Sequence, residues 1–237
     1  MNSARLKVSP LKTSALAIYP ESNTKGKRDS TGAFQPEAQA VSRIHLCRAR
    51  SFDNTASKRA RRREVESTIR ESAGGLGALA LFMHGWKKGL QSGHNTWNVK
   101  HLARAIEEVG ANDIKIALYA CDTGRDNDSS RKDDSRPGPG GEGGFADKLR
   151  DSLVSLGLSG GWVDGHTVTA HTTKAPYVRR FYINEEAVND GGEWLVTPGS
   201  PEWKAWRNAL QSSRSFRLSF PLMTKSEIYA HLAAVSA

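Results

Sequence analysis

The sequence predicts an α/β fold with a mainly parallel central sheet, on three observations. Two apolar, strand-like runs, Ala78–Met83 and the "IKIALY" run from Ile114 to Tyr119, flank an amphipathic stretch. A second amphipathic stretch with leucines at helical spacing follows, and three further strand candidates lie beyond it. Strands that alternate with helices of this length are the pattern of βαβ units, whose crossovers make the strands parallel.

In chain order, residues 1–40 read as an irregular N-terminal extension, polar and broken by Pro10, Pro20 and Pro36, with one short strand candidate at Leu16–Tyr19. Residues 41–237 read as a single α/β domain. The segment "VSRIHLCRAR" (41–50) reads as a strand through the alternation of Ile44 and Leu46. A basic helix is expected from Ser57 to Ser72, ended by Gly74-Gly75, before the strand that stops at His84. Thr96 is the expected N-cap of the next helix, whose face is Val99, Leu102, Ile106 and Val109, with Gly110 closing it. After the second strand, the segment "RDNDSSRKDDSRPGPGGEGG" (125–144) has almost nothing to bury and is expected to be a disordered loop. Phe145, Leu149, Leu153 and Leu156 then mark a helix closed by Gly157. Strands are expected at 161–163, 167–170 and 177–183. Trp194, Trp203 and Trp206 are expected to pack against the sheet, followed by a last amphipathic stretch from Lys225 to Val235.

The two apolar runs end on chemically distinctive residues, His84-Gly85 and Ala120-Cys121. Functional groups of an open parallel sheet gather at the carboxyl ends of its strands, and adjacent strands lie ~4.8 Å apart. A βαβ unit would therefore bring an imidazole and a thiol to one rim, the arrangement a thiol nucleophile and its base require. His84 would take the thiol proton or hold the thiolate. Gly85, lacking a Cβ, would let a substrate carbonyl approach, and its N–H with that of Cys121 would stabilise an oxyanion. Cys47 has no glycine after it and reads as a packing residue. His94, His101, His166 and His171 have no partner at metal-ligand spacing, so no metal or cofactor is expected.

The block "LALFM" before His84-Gly85, the block "IKIALY" before Ala120-Cys121, the order of His before Cys, and the intervening helix together resemble the caspase-like superfamily of cysteine peptidases. This is clan CD: caspases, metacaspases, gingipain-like, separase-like and CHAT-type enzymes, and the self-processing protease domains of large toxins. The resemblance covers roughly residues 76–160. It implies a three-layer αβα sandwich, Cys121 as nucleophile, His84 as general base and Gly85 as an oxyanion contributor. Several relatives carry a cleavable loop after the cysteine strand, where residues 125–144 lie, which makes Arg125, Arg131 and Arg136 candidate self-cleavage points. "ACDTG" is neither the caspase Gln-Ala-Cys-Arg-Gly nor the metacaspase Asp-Ser-Cys-His-Gly, so substrate preference is not carried over. The loop offers charged side chains and no leucine or aromatic residue, so the residue before a cut is expected to be charged, with Arg or Lys favoured slightly over Asp. Asp122 and Asp164 are the candidate acceptors for a basic side chain, and Arg179, beside Arg180, is the candidate donor for an acidic one.

Two other readings compete. An α/β-hydrolase would need glycines flanking its nucleophile where Tyr119 and Thr123 stand. The net charge of +9 suggests instead a basic nucleic-acid-binding or adaptor protein on a catalytically inactive scaffold. Residues 41–70 hold nine Lys/Arg against three Asp/Glu, and the run Lys58–Arg63 is the candidate nucleic-acid contact. A regulatory protein docking on this basic third is a further candidate partner. No apolar run is long enough for a bilayer span, and the patch Ala15–Tyr19 is too short for a signal peptide, so a cytoplasmic location is expected.

Overall fold

A computed structural model describes residues 14–21, 33–72, 74–127, 141–169, 173–188 and 190–236. The strands are β1 (Ser14–Pro20), β2 (Arg48–Phe52), β3 (Leu76–Phe82), β4 (Gly85–Trp86), β5 (Gly89–Leu90), β6 (Gly110–Tyr119), β7 (Trp162–His166), β8 (Val178–Tyr182) and β9 (Glu193–Trp194). The helices are α1 (Phe34–His45), α2 (Lys58–Arg70), α3 (Val99–Glu107), α4 (Phe145–Ser155), α5 (Trp203–Ser212), α6 (Arg214–Ser219) and α7 (Lys225–Ser236). Seven strands form one sheet in the order β2-β1-β3-β6-β7-β8-β9. The first five run parallel, and β8 and β9 are antiparallel to their neighbours. β4 and β5 form a separate hairpin immediately after β3.

Alternation along each strand sorts side chains onto two faces. Leu16, Ile18, Leu79, Leu81, Ile116 and Leu118 pack with Ile69 of α2, Leu102 and Ile106 of α3, and Leu149 and Leu153 of α4. On the other face the strands present Ala17, Ala80 and Ala117, and these small side chains let α1 approach through Ala38, Ala40 and Val41. Farther along that face, Val178 of β8 lies under a cluster built on Trp206, Phe216, Phe220 and Ile228. Trp206 is fully buried and its indole N–H donates to the Pro176 carbonyl. Trp203 is partly buried against the same cluster, whereas Trp194 stacks under the Arg179 guanidinium at the last strand of the sheet. The result is an α/β sandwich with helices on both sides of a mainly parallel sheet. No helix among the described residues is long and apolar enough to cross a membrane.

Several local expectations need correction. The segment 41–45 is the end of helix α1, whose buried side is Ala38, Val41 and His45; strand β2 begins only at Arg48, after Leu46 turns the chain in the left-handed conformation. The segment read as an irregular extension supplies β1, which lies between β2 and β3 inside the sheet. Helix α3 is capped at Asn98, not Thr96. The Asn95 carboxamide accepts the N–H groups of Trp97 and Asn98 and so holds 96–98 as a turn. Gly110 is the first residue of β6 and does not end the helix. Residues 167–169 are not a strand, because β7 ends at His166, and Ala170 lies outside the described residues.

His166 closes β7 inside the protein, and burial alone pushes its imidazole down to about 3. The folded chain therefore keeps it neutral while an unfolded chain would protonate it near 6.5. Its contribution to stability is present above pH 6.5 and lost as pH falls towards 3, at up to about 1.4 kcal/mol per pH unit. Burial pushes the Asp147 and Asp164 carboxyls up, which acts in the opposite sense, so the effect is read as a difference. Urea unfolding of wild type and His166→Gln between pH 7 and 4 should give a shallower acid slope for the variant; parallel slopes would refute the assignment.

Candidate active site

The site is built on the contact between β3 and β6. Their register pairs Leu81 with Leu118 and Phe82 with Tyr119. One further rung follows, because the Met83 N–H donates to the Tyr119 carbonyl. The next residues on the two chains are His84 and Cys121, so both sequence-selected residues leave the same rim of neighbouring strands. The approach is tightest at Gly85. A Cβ built there would lie 2.6 Å from the Ala120 Cβ and 2.8 Å from the Cys121 carbonyl oxygen. Only a residue without a side chain lets the His84 segment sit against the Cys121 backbone.

His84 is held from two directions. Its N–H donates to the Gln91 Oε1 at 3.2 Å, and its carbonyl accepts the Gln91 N–H at 2.8 Å. The Phe34 ring meets the imidazole edge-on, with centroids 5.1 Å apart. Both imidazole and thiol are half-buried, reachable by a substrate yet partly shielded from water. The chain after Cys121 is a tight turn in which Asp122 takes φ +56° and the Gly124 N–H donates to the His166 carbonyl. This turn ties the cysteine loop to the end of β7. The Phe145 N–H donates to the Lys87 carbonyl, which closes the rim between α4 and the β4–β5 hairpin.

The remaining candidates separate. Asp164 is buried in mid-strand on the face toward the carboxyl-terminal helices, where it accepts two hydrogen bonds of 2.8 Å from Arg180. It is a structural ion-pair partner in mid-strand, so, contrary to the sequence-based expectation, it is not available as an acceptor for a basic substrate side chain. Asp122 sits beside the cysteine, is buried, accepts from the Thr169 hydroxyl at 2.6 Å and lies 3.9 Å from Arg125. Arg179 is buried at the rim end of β8, donates to the Gly191 and Gly192 carbonyls and stacks 4.2 Å over Trp194. Arg125 is 1% exposed, so in the folded chain it is part of the turn and not an accessible cleavage point. Arg131 and Arg136 lie outside the described residues, but the two ends of that insertion meet where the Asn127 N–H donates to the Glu142 carbonyl. Cys47 is not a rival nucleophile, because burial pushes its thiol up to about 11 and keeps it protonated. Among the described residues no group of three or more His, Cys, Asp or Glu side chains could hold a metal ion.

Comparison with protein-family models, curated proteins and solved structures finds no match. The geometry of the rim itself therefore carries the functional argument.

Two features were not legible in the sequence. Gln91 positions His84 through a pair of hydrogen bonds across the hairpin, and Phe34 arrives from another helix altogether. Neither carries a motif; a turn signal around Gly93 is the sole hint that Gln91 folds back.

Gly85→Ala should lower any thiol-dependent cleavage by about 100-fold, the scale of a misplacement of about 1 Å between catalytic groups. The Cβ would push His84 away from Cys121 and press on the buried Ala120 at the edge of the core, so a modest loss of stability should accompany the loss of activity. Steady-state kinetics alongside a thermal melt checks this, and wild-type kcat/KM in the variant would contradict the packing argument.

Proposed function

We propose that this protein is a cysteine endopeptidase, of the kind its sequence resembles, that works through a His84–Cys121 dyad. The observation that carries the reading is the β3–β6 register, which brings an imidazole and a thiol to one rim with Gly85 against the Cys121 backbone. In the proposed reaction the imidazole of His84 takes the proton of the Cys121 thiol. The sulfur attacks the carbonyl carbon of the scissile amide, and the carbonyl π electrons move to oxygen, where the N–H groups of Gly85 and Cys121 are the candidate donors. Collapse of this intermediate breaks the C–N bond, and the imidazolium returns its proton to the leaving nitrogen. A water molecule, deprotonated by His84, then attacks the thioester and releases the acid and the free thiol.

The residue before the cut is proposed to be charged, with Arg or Lys favoured, and self-cleavage in the 125–144 insertion is part of the same proposal. With Asp164 engaged by Arg180, Asp122 is the remaining acceptor for a basic side chain and Arg179 the donor for an acidic one.

The test is covalent labelling by peptidyl acyloxymethyl ketones bearing Arg or Asp at the carbonyl, with the adduct mapped by mass spectrometry. Labelling at Cys121, lost in His84→Ala, is the expected result. Sequencing any new N-terminus formed on incubation reads the charge class directly: Arg or Lys assigns Asp122, Asp assigns Arg179. Labelling that favours Cys47, or is indifferent to His84, would overturn the reading.

A further inference from the structure

We infer that the cavity beside His84 is the subsite for the residue that follows the cleaved bond, and that it selects an acidic side chain, Asp or Glu. This inference rests on the cysteine-peptidase reading. The cavity has a volume of about 220 Å³, and its walls include Lys58, Arg61, His84, Trp86, Gln91 and His94. His84 fixes which side of the cut it serves. The imidazole must return a proton to the departing nitrogen, so the departing segment passes on the imidazole side of the thiol. His84 itself is among the residues lining the cavity, and Trp86, 45% exposed, offers a rigid apolar wall next to it.

The charge of the cavity is built in. Its lining includes two cations and no carboxylate. Lys58 is the first residue of α2, which Ser57 caps by accepting the Ala60 N–H. Gly93, at φ +90°, lies so close to this turn that a Cβ would stand 2.5 Å from the Lys58 carbonyl oxygen. That contact fastens the start of α2, with its partial positive charge, to the loop that carries Gln91 and His94. Arg61 spends one nitrogen on the Asn54 carbonyl at 3.2 Å, while its Nε is shielded from solvent with no acceptor among the described residues. The acids nearby stand outside the cavity wall. Glu66 stands behind His94, bonded to its Nε2 at 3.2 Å and facing Arg62 at 3.6 Å and Arg70 at 3.9 Å. Asp53 is half-buried, its carboxylate accepts from Thr55, and it lies near enough to Arg61 for the guanidinium to help hold its carboxyl below the usual carboxylate range. Of the basic run, Lys58 and Arg61 thus serve the cavity, Arg62 is tied to Glu66, and Arg59 and Arg63 face solvent.

The experiment uses the full chain and two series of internally quenched peptides, one with Arg and one with Asp before the cut, each carrying Asp, Ser or Lys after it. In wild type, kcat/KM with Asp after the cut should exceed that with Lys by about tenfold in whichever series is cleaved. In Lys58→Met/Arg61→Met this Asp-to-Lys ratio should fall to near one, and in Lys58→Glu, at an exposed position that does not threaten folding, it should drop below the wild-type value. Equal wild-type rates for Asp and Lys, or a ratio unmoved in Lys58→Glu, would overturn the subsite while leaving the peptidase reading intact. No cleavage of any peptide together with no labelling of Cys121 would overturn both. An unmoved ratio accompanied by salt-dependent binding of a single-stranded 20-mer oligonucleotide, lost in Lys58→Glu, would reassign these cations to nucleic acid.

Discussion

Cys121→Ala is expected to abolish peptide cleavage and self-cleavage alike, a loss on the order of 10⁶-fold if the thiol is the nucleophile. His84→Ala should follow with about 10²–10⁴-fold, the range for removing a general base. The two losses should not add, because a base with no thiol to deprotonate has nothing left to contribute. Neither change should unfold the chain. β6 ends at Tyr119 and β3 at Phe82, so both residues stand beyond the hydrogen-bonded strands and outside the clusters that make the core. Far-ultraviolet circular dichroism and a thermal melt should therefore match wild type. Full cleavage activity in either variant would remove the dyad. Loss of activity with loss of fold is answered by Cys121→Ser, which keeps the shape of the side chain while weakening the nucleophile.

The second large effect is on stability. Asp164 and Arg180 face each other in the β7–β8 register, both buried, with two 2.8 Å hydrogen bonds between them. Burial raises the Asp164 carboxyl and the Arg180 charge lowers it, with burial the larger influence. Arg180 also donates to the Met223 carbonyl and stacks 4.0 Å over Trp162, so it ties β7 and β8 to the carboxyl-terminal helices. Asp164→Ala would leave a guanidinium buried without its counter-charge, at a cost of about 3–5 kcal/mol. Replacing both partners, as in Asp164→Leu/Arg180→Met, should cost less than the single change because no charge is stranded. Urea midpoints for the single and double variants check this. A single variant as stable as wild type would show that the charge is solvated and the pair dispensable.

The same pair shows where reading the sequence ran out. Asp164 was a reasonable acceptor for a basic substrate as long as its neighbours were known only along the chain. Its partner lies sixteen residues on, on the antiparallel neighbour β8, and alternation cannot tell which face of β7 meets the carboxyl-terminal helices and which meets α4. Helix α1 is hidden in the sequence for a related reason. Ile44 and Leu46 alternate like a strand over a few residues, whereas Ala38, Val41 and His45 share the buried side of a helix that starts earlier, at Phe34. The helical spacing was present, but short alternation outweighed it.

What the sequence determined by itself is the local frame of the candidate site. Unbroken apolar runs make β3 and β6, a 3.6-residue period makes α3 between them, and Ser57 starts α2. A crossover that makes β3 and β6 parallel then leaves His84 and Cys121 on one rim, because the carboxyl ends of parallel neighbours share an edge. Tertiary structure alone decided the rest: β1 inserted inside the sheet, Gln91 and Phe34 on His84, and Lys58 and Arg61 in the cavity wall. The physical reason is that periodicity reports which side of an element is buried, whereas the neighbour buried against it is chosen by packing between segments distant along the chain.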